Sequence, residues 1–386
     1  MKQFGSYVIL LKLHRSINFF SSTYCYSIDD RYTQAMPVVC VIPGDDAAPE
    51  AMNAAAHVLS ELTPEIDLVE LPMDEGSGGS LSDESKNTID RADATLFGAT
   101  SRRNGAIAYL RWGKKTYANI RPITYMSGAK SPLLNPNDID FVIVRENTED
   151  LYVAIEGDLE TIRPLQLQPY RGSGIPESGD GKFAVKVITE EATSRIAHYA
   201  FDFARERKQD GYPGRVTMSC KYNTLPTSDG FFRQIVQGVA KEYPDIEYRD
   251  FIIDDFARRI VVEPQELDVV LLPNMYGDIL SDEASGLIGG LGIPPSGCYG
   301  DDYAYFEPIH GSAPDIQGLG VINPTAMMLS AAMMLDYLRF TEQANHLRAA
   351  IRNVYQEQLH LTRDQDGTAS TEEFTSEVLR KLAEFS

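Results

Sequence analysis

The chain has 386 residues, 43% of them hydrophobic and 24% charged, and a formal charge of −21 at pH 7. That length suits one large or two medium domains with a substantial core. So acidic a surface repels nucleic acid and anionic lipid, which sets both aside as partners, and no apolar run approaches the roughly 20 residues of a membrane span.

Residues 1–35 stand apart in composition. They hold no Asp or Glu before Asp29, and they include Lys2, Lys12, His14 and Arg15 among several serines. The segment reads as an N-terminal extension, because a clean strand begins directly after Met36; a transit peptide is the alternative. The matching expectation for the protein's location is the cytoplasm, or the mitochondrion if the extension is a transit peptide. Cys25, Cys40, Cys220 and Cys298 are widely spaced with no CxxC, as free thiols in a reducing compartment would be.

From Met36 the pattern alternates. Val38–Ile42 is a short apolar run closed by Pro43 and Gly44, a buried strand and its turn. Residues 50–62 carry helical apolar spacing. Strand signals recur at 68–71, 95–98, 141–144, 216–219, 251–253 and Val269–Leu272, with helical stretches between most of them. Alternation of this kind predicts an α/β fold with a mainly parallel sheet covered by helices. Residues 166–182, rich in Gly, Pro and Ser, read as a loop or extended arm. Residues 325–338 form the most apolar helix candidate, too short for a membrane and fit for a core.

Three groups of residues carry chemistry. Asp278 and Asp282 are four apart just after the strand Val269–Leu272, so on a helix they share a face. Two carboxylates there suit either a divalent cation or a solvated helix N-terminus. Arg111, Arg121 and Arg145 could clamp a dicarboxylate, since guanidinium pairs with carboxylate in bidentate fashion; Arg145 ends an apolar strand, where open α/β sheets bind ligands. Surface arginines, or Arg145 paired with Glu146 or Glu149, are the plainer reading. Lys221 and Tyr152 are candidate proton-transfer groups, or a surface lysine and a core tyrosine. No GxGxxG follows a strand, so the cofactor site is not of the Rossmann kind, and no GxSxG points to serine hydrolysis.

Together, four segments resemble the β-decarboxylating dehydrogenases, the isocitrate/isopropylmalate dehydrogenase family. They are Tyr117-Ala-Asn-Ile-Arg-Pro122, Val144-Arg-Glu-Asn-Thr-Glu-Asp-Leu-Tyr152, Asn274-Met-Tyr-Gly-Asp-Ile-Leu-Ser-Asp282 and Glu307-Pro-Ile-His-Gly-Ser-Ala-Pro-Asp315. The likeness runs from about Met36 to the C-terminus. It implies an isopropylmalate dehydrogenase-like fold. A cofactor-binding domain would comprise residues 36–116 and 289–386, and a central dimerisation and substrate domain residues 117–288.

The resemblance also assigns roles. Arg111, Arg121 and Arg145 would grip the substrate's carboxylates. Asp254, Asp278 and Asp282 would hold Mg²⁺ or Mn²⁺. Lys221 would accept the C2 hydroxyl proton, and Tyr152 would protonate the enolate left by decarboxylation. In relatives the lysine and the residue matching Asp254 come from a second subunit, so a homodimer is implied. His310, Gly311, Ser312, Ala313, Pro314, Asp315 and Asn323 match the adenosine-binding loop. Asp315 favours NAD, because a carboxylate accepts from ribose hydroxyls and repels a 2′-phosphate.

Two departures bear on specificity. Where the family usually has Gly-Asp-Gly-Ile-Gly-Pro-Glu, this chain has Gly44-Asp-Asp46-Ala47-Ala48-Pro-Glu50, losing two glycines and gaining a charge. Ahead of Arg111, Gly105, Ile107 and Ala108 replace the polar or cationic groups that isocitrate and homoisocitrate enzymes carry. A γ-carboxylate would lack a partner there, at a cost. The expected substrate is a 2-hydroxy dicarboxylate with a small or aliphatic γ-group: isopropylmalate first, D-malate or tartrate second. Homoisocitrate remains open if Arg102 or Arg103 reaches in. A non-catalytic regulatory subunit is the rival class, against which the full set of arginines, aspartates, Lys221 and Tyr152 argues.

Overall fold

A computed structural model describes residues 36–71, 81–101 and 105–385. Cys25, the N-terminal extension, Arg102 and Arg103 lie outside them. Twelve strands are described: β1 (Val38–Ile42), β2 (Asp67–Glu70), β3 (Ala94–Phe97), β4 (Ala118–Thr124), β5 (Asp140–Glu146), β6 (Glu156–Asp158), β7 (Lys182–Ala184), β8 (Arg215–Cys220), β9 (Glu247–Ile252), β10 (Val269–Leu272), β11 (Pro295–Tyr299) and β12 (Ala304–Pro308). The helices are α1 (Ala48–Leu62), α2 (Asp83–Arg91), α3 (Gly105–Ala108), α4 (Leu159–Ile162), α5 (Glu190–Gln209), α6 (Ser228–Ala240), α7 (Ile253–Val262), α8 (Asn274–Leu287), α9 (Thr325–Tyr337), α10 (Thr341–Glu357) and α11 (Thr371–Leu382).

Ten strands form one sheet in the order β2-β1-β3-β12-β11-β4-β5-β10-β8-β9. Neighbours are parallel on both flanks and antiparallel through β12-β11-β4-β5. Strands from 36–116 and 289–386 occupy one half of the sheet, and strands from 117–288 the other. The flanking strands are continuous apolar runs because helices cover both faces; Val269, Val270, Leu271 and Leu272 are all fully buried. Helix α9 is buried nearly all round, as its composition predicts.

Of the antiparallel centre, β5 is the run predicted at 141–144, whereas β4, β11 and β12 carry no readable strand signal in the sequence. Pro122 argues against a central strand, since it cannot donate to a ladder. Pairing with β11 stops at Ile120, however, so Pro122 stands on a locally open edge where the missing N–H costs little. Residues 166–181 are irregular and mostly exposed; with α4 they lie between β6 and β7, which form a separate antiparallel pair apart from the main sheet. Cys40, Cys220 and Cys298 are buried free thiols.

Candidate active site

Arg145 lies near the carboxyl end of β5, level with Leu272 of β10, and α8 begins two residues after that strand. This is where open α/β sheets place ligands. Arg145 is fully buried. Its Nε donates to Asn274 Oδ1 at 2.9 Å, and its Nη1 donates to the Asp278 carboxylate. Gly277 makes room: a Cβ there would come within 2.6 Å of Arg145 Cγ, so glycine lets the helix turn sit against the guanidinium stem.

Side chains alternate along β4, so Asn119 and Arg121 share its site face. Asn119 accepts from Arg121 Nε at 2.7 Å and aims the fork. Arg121 Nη1 then lies 3.3 Å from Asp278 and 3.8 Å from Asp282 and donates to Ser281 Oγ. Tyr152 donates its hydroxyl to the other oxygen of Asp278, and its ring lies 4.8 Å from the Arg145 guanidinium and 5.6 Å from that of Arg111. Five of the residues singled out in the sequence therefore converge on Asp278: Arg111, Arg121, Arg145, Tyr152 and Asp282.

The electrostatics follow from this crowding. Burial pushes the Asp278 carboxyl up, but Arg145 and Arg121 outweigh it and hold the group below the usual carboxylate range. Burial raises Asp282, and Asp278 adds to that against the pull of Arg121. Burial also raises the Tyr152 phenol, with Asp278 reinforcing it and Arg145 opposing; the group stays protonated at neutral pH. Arg111 Nε is buried with no hydrogen-bond partner among the described residues, a free donor of the kind a carboxylate takes up. Burial works against its charge, yet Tyr305 and Glu307 hold it on.

Some neighbours of the site have no role in the sequence reading. Glu307 opens the fourth motif and sits beside Arg111; burial raises its carboxyl against the three arginines. Asn274 and Ser281 lie inside the third motif and serve as the arginines' neutral partners. Asp150, wholly buried, accepts from Met275 N at 3.0 Å and fixes the start of α8.

Lys221 and Asp254 pair with each other after β8 and β9, and Asp229 accepts from the Lys221 backbone N–H at 2.7 Å. No group of three potential metal ligands exists among the described residues. Asp278 and Asp282 thus offer two carboxylates of a kind a hard cation takes, short of the about six oxygens such an ion binds. Ahead of Arg111, Ile107 is half-buried against the smaller core cluster of Ile42 and Leu110, and Ala108 is exposed.

The segment 310–316 follows β12. His310 donates Nδ1–H to Gly311 O at 2.8 Å, since a carbonyl can only accept. Burial holds the ring's pKa down, so Nε2, buried and unpartnered among the described residues, remains an acceptor suited to an amino group of a ligand. Asp315 is exposed. Asn323 is buried, its amide donating to Tyr355 and Asp364 and its oxygen accepting from Thr325 N.

The turn after β1 staples three loops with three carboxylates. Asp45 accepts from Ser101 N at 3.0 Å, Asp46 from Ser312 Oγ at 2.6 Å, and Glu50 from Gly318 N and Gly320 N at 2.7 and 2.8 Å. Gly44 has φ +87°, and a Cβ there would meet Ala99 O at 2.5 Å. Asp46 adopts φ +55°, a left-handed conformation that Asp tolerates better than most residues.

A family model described as isocitrate/isopropylmalate dehydrogenase matches residues 38–378. The 3-isopropylmalate/3-methylmalate dehydrogenase of Methanocaldococcus jannaschii is 41% identical over 354 residues, covering 90% of this chain and 100% of that protein. The isocitrate/homoisocitrate dehydrogenase of Thermus thermophilus is 39% identical, over 89% of this chain and 98% of that one. The crystal structure of isocitrate dehydrogenase from Methylococcus capsulatus superimposes with a TM-score of 0.78 at 33% identity, over 90% of this chain and 99% of that one.

Proposed function

Because this chain belongs to the isocitrate/isopropylmalate dehydrogenase family and is a decarboxylating dehydrogenase of that kind, we propose that it oxidises a malate-type 2-hydroxy acid with NAD and releases the β-carboxylate as carbon dioxide, 3-isopropylmalate being the first substrate to expect. The observation that carries this reading is the convergence of three guanidiniums and Tyr152 on Asp278, with Gly105, Ile107 and Ala108 as the described residues at the specificity positions ahead of Arg111. Two carboxylates of a substrate find cations there, and an aliphatic γ-group meets no charge it would strand.

Members of this family use NAD or NADP and magnesium or manganese. Asp278 and Asp282 of one chain and Asp254 of the partner subunit would hold the cation; His310 and the 311–316 loop would hold the adenosine, with Asp315 favouring NAD. When bound, the cation supplies a Lewis acid for the C2 oxygen and the nicotinamide accepts the hydride. The chain's own groups do the rest. Arg111, Arg121 and Arg145 orient the substrate's carboxylates. Lys221 of the partner subunit takes the hydroxyl proton. Loss of carbon dioxide leaves its electron pair on the substrate as an enolate, and Tyr152 delivers a proton to C3.

A homodimer is supported by two features. Lys221 and Asp254 make none of the contacts around Asp278, so one chain holds an incomplete ligand set. Exposed Val261 and Val262 of α7 and Met275 and Ile279 of α8 offer apolar surface of the kind an obligate interface covers.

The test is NAD⁺ reduction with Mg²⁺ or Mn²⁺ on isopropylmalate, D-malate, tartrate, isocitrate and homoisocitrate. The account expects metal-dependent turnover, highest kcat/KM with isopropylmalate. Homoisocitrate preferred by about tenfold, which is 1.4 kcal/mol of transition-state binding, would overturn the aliphatic γ-group. No turnover with any of the five would favour a regulatory subunit.

A further inference from the structure

Strand β4 has a second face. Ile120, Pro122 and Thr124 point away from Arg121 and line a cavity closed by Phe203 of α5, Met333 of α9 and the stems of Arg348 and Arg352 on α10. Its volume is about 60 Å³. That is several times the ~10–15 Å³ one water requires and well under the ~150 Å³ of an apolar cavity that takes benzene. A short aliphatic chain fits it; a ring does not.

The two arginines differ. Arg348 is buried and paired with Asp336, with Asn345 accepting at 3.3 Å. Arg352 is half-buried and makes no hydrogen bond or ion pair among the described residues. Burial and the neighbouring Arg348 both work against its charge, with Tyr212 in slight support. A guanidinium partly withdrawn from water without a counter-charge is costly, and here it borders an apolar hole.

We propose that this cavity is a second ligand site, taking a short-chain aliphatic carboxylate whose alkyl group fills the hole and whose carboxylate pairs with Arg352. The cavity walls come from α9 and α10 on one side and from β4 and α5 on the other. Occupancy therefore ties the C-terminal helices to the strand that carries Arg121, and it stabilises the folded chain by mass action. None of the catalytic chemistry proposed above is needed for this binding.

The experiment uses the full chain and butanoate, whose three-carbon chain is smaller than a ring and which lacks the hydroxyl a substrate needs, with neutral butanamide as its isostere. Calorimetric titration should give a Kd for the acid about tenfold lower than for the amide, a charge-assisted pair's contribution. Arg352→Gln should raise the acid's Kd to that of the amide and leave NAD⁺ turnover unchanged. Leu329→Phe, which narrows the cavity from α9, should abolish binding of both. Equal affinity for acid and amide in the wild type overturns the proposal without any variant. So does acid binding that survives Arg352→Gln, because the acid would then sit elsewhere, at the three arginines of the active site for instance.

Discussion

On one face of β4, Arg121 reaches Asp278 and Asp282 beside a buried Arg145 that is itself paired. On the other face, Ile120, Pro122 and Thr124 border a cavity whose cation, Arg352, has no partner among the described residues. The contrast teaches where charge on this chain is self-sufficient. Toward the carboxyl ends of the strands, Arg121 and Arg145 are answered by oxygens from α8 and β4. Behind β4, Arg348 is answered by Asp336, but Arg352 has no counter-charge among the described residues. Buried charges persist when they are paired, and an unpaired one costs stability until something pairs it.

Breaking the matched side should have the largest effect. Asp278→Asn removes the charge on which Arg121, Arg145 and Tyr152 converge, and steady-state turnover with metal and NAD⁺ is expected to fall by roughly 10²–10³-fold. An activity within tenfold of wild type would mean the convergence is structural. A smaller change is expected from the turn after β1. Asp46→Gly gives the position the family's usual residue and loses the bond to Ser312. The KM for NAD⁺ should rise by about 2–10-fold, the worth of one such hydrogen bond, with kcat kept within twofold.

Removing an unmatched charge should have the opposite sign. Arg352→Met is expected to raise the Tm of the ligand-free protein by about 2 °C, where most substitutions lower it. The smallest effect concerns Glu206 on α5, which burial pushes up to about 8, with Asp202 and Asp210 adding repulsion. The folded chain keeps a proton there that the unfolded chain releases above its ordinary 4.5, so this group withdraws stability as pH climbs from that value through about 8. Glu206→Gln should therefore raise Tm by about 1–2 °C at pH 8.5, and thermal scans should show the gain vanishing as pH falls toward 4.5.

The legible parts of the sequence were those with a local signature. β1, β8 and β10 are short apolar runs between turns, and α9 is apolar all round, so burial shows in composition alone. β4, β11 and β12 hid because Pro122, Pro295, Gly297 and Pro308 break their strand signal; β11 pairs with its chain neighbour β12, and only its pairing with β4 spans a long separation. The site divides in the same way. The arginines and aspartates stand in the quoted motifs, but the pairing of Arg145 with Asp278 spans 133 residues, which no spacing reveals. Glu307 lay in plain view in its motif, with no signal of its proximity to Arg111. Asp46 looked like a loss of glycine; only the fold gives it Ser312 as a partner. The cavity behind β4 is a matter of packing between β4, β11, α5, α9 and α10, and the sequence carries no trace of it.

The central claim is an active site shared between two chains, with Lys221 and Asp254 serving the Asp278 of a partner. Its most direct test mixes two inactive proteins, Lys221→Met and Asp278→Asn, unfolded and refolded together. If the site is shared across a two-fold dimer, each hybrid has one site with both defects and one intact site, and an equal mixture should recover about a quarter of wild-type turnover. Activity no greater than that of the two parents, in a mixture shown to contain hybrid dimers, would place Lys221 and Asp278 in the same chain's site and contradict the account.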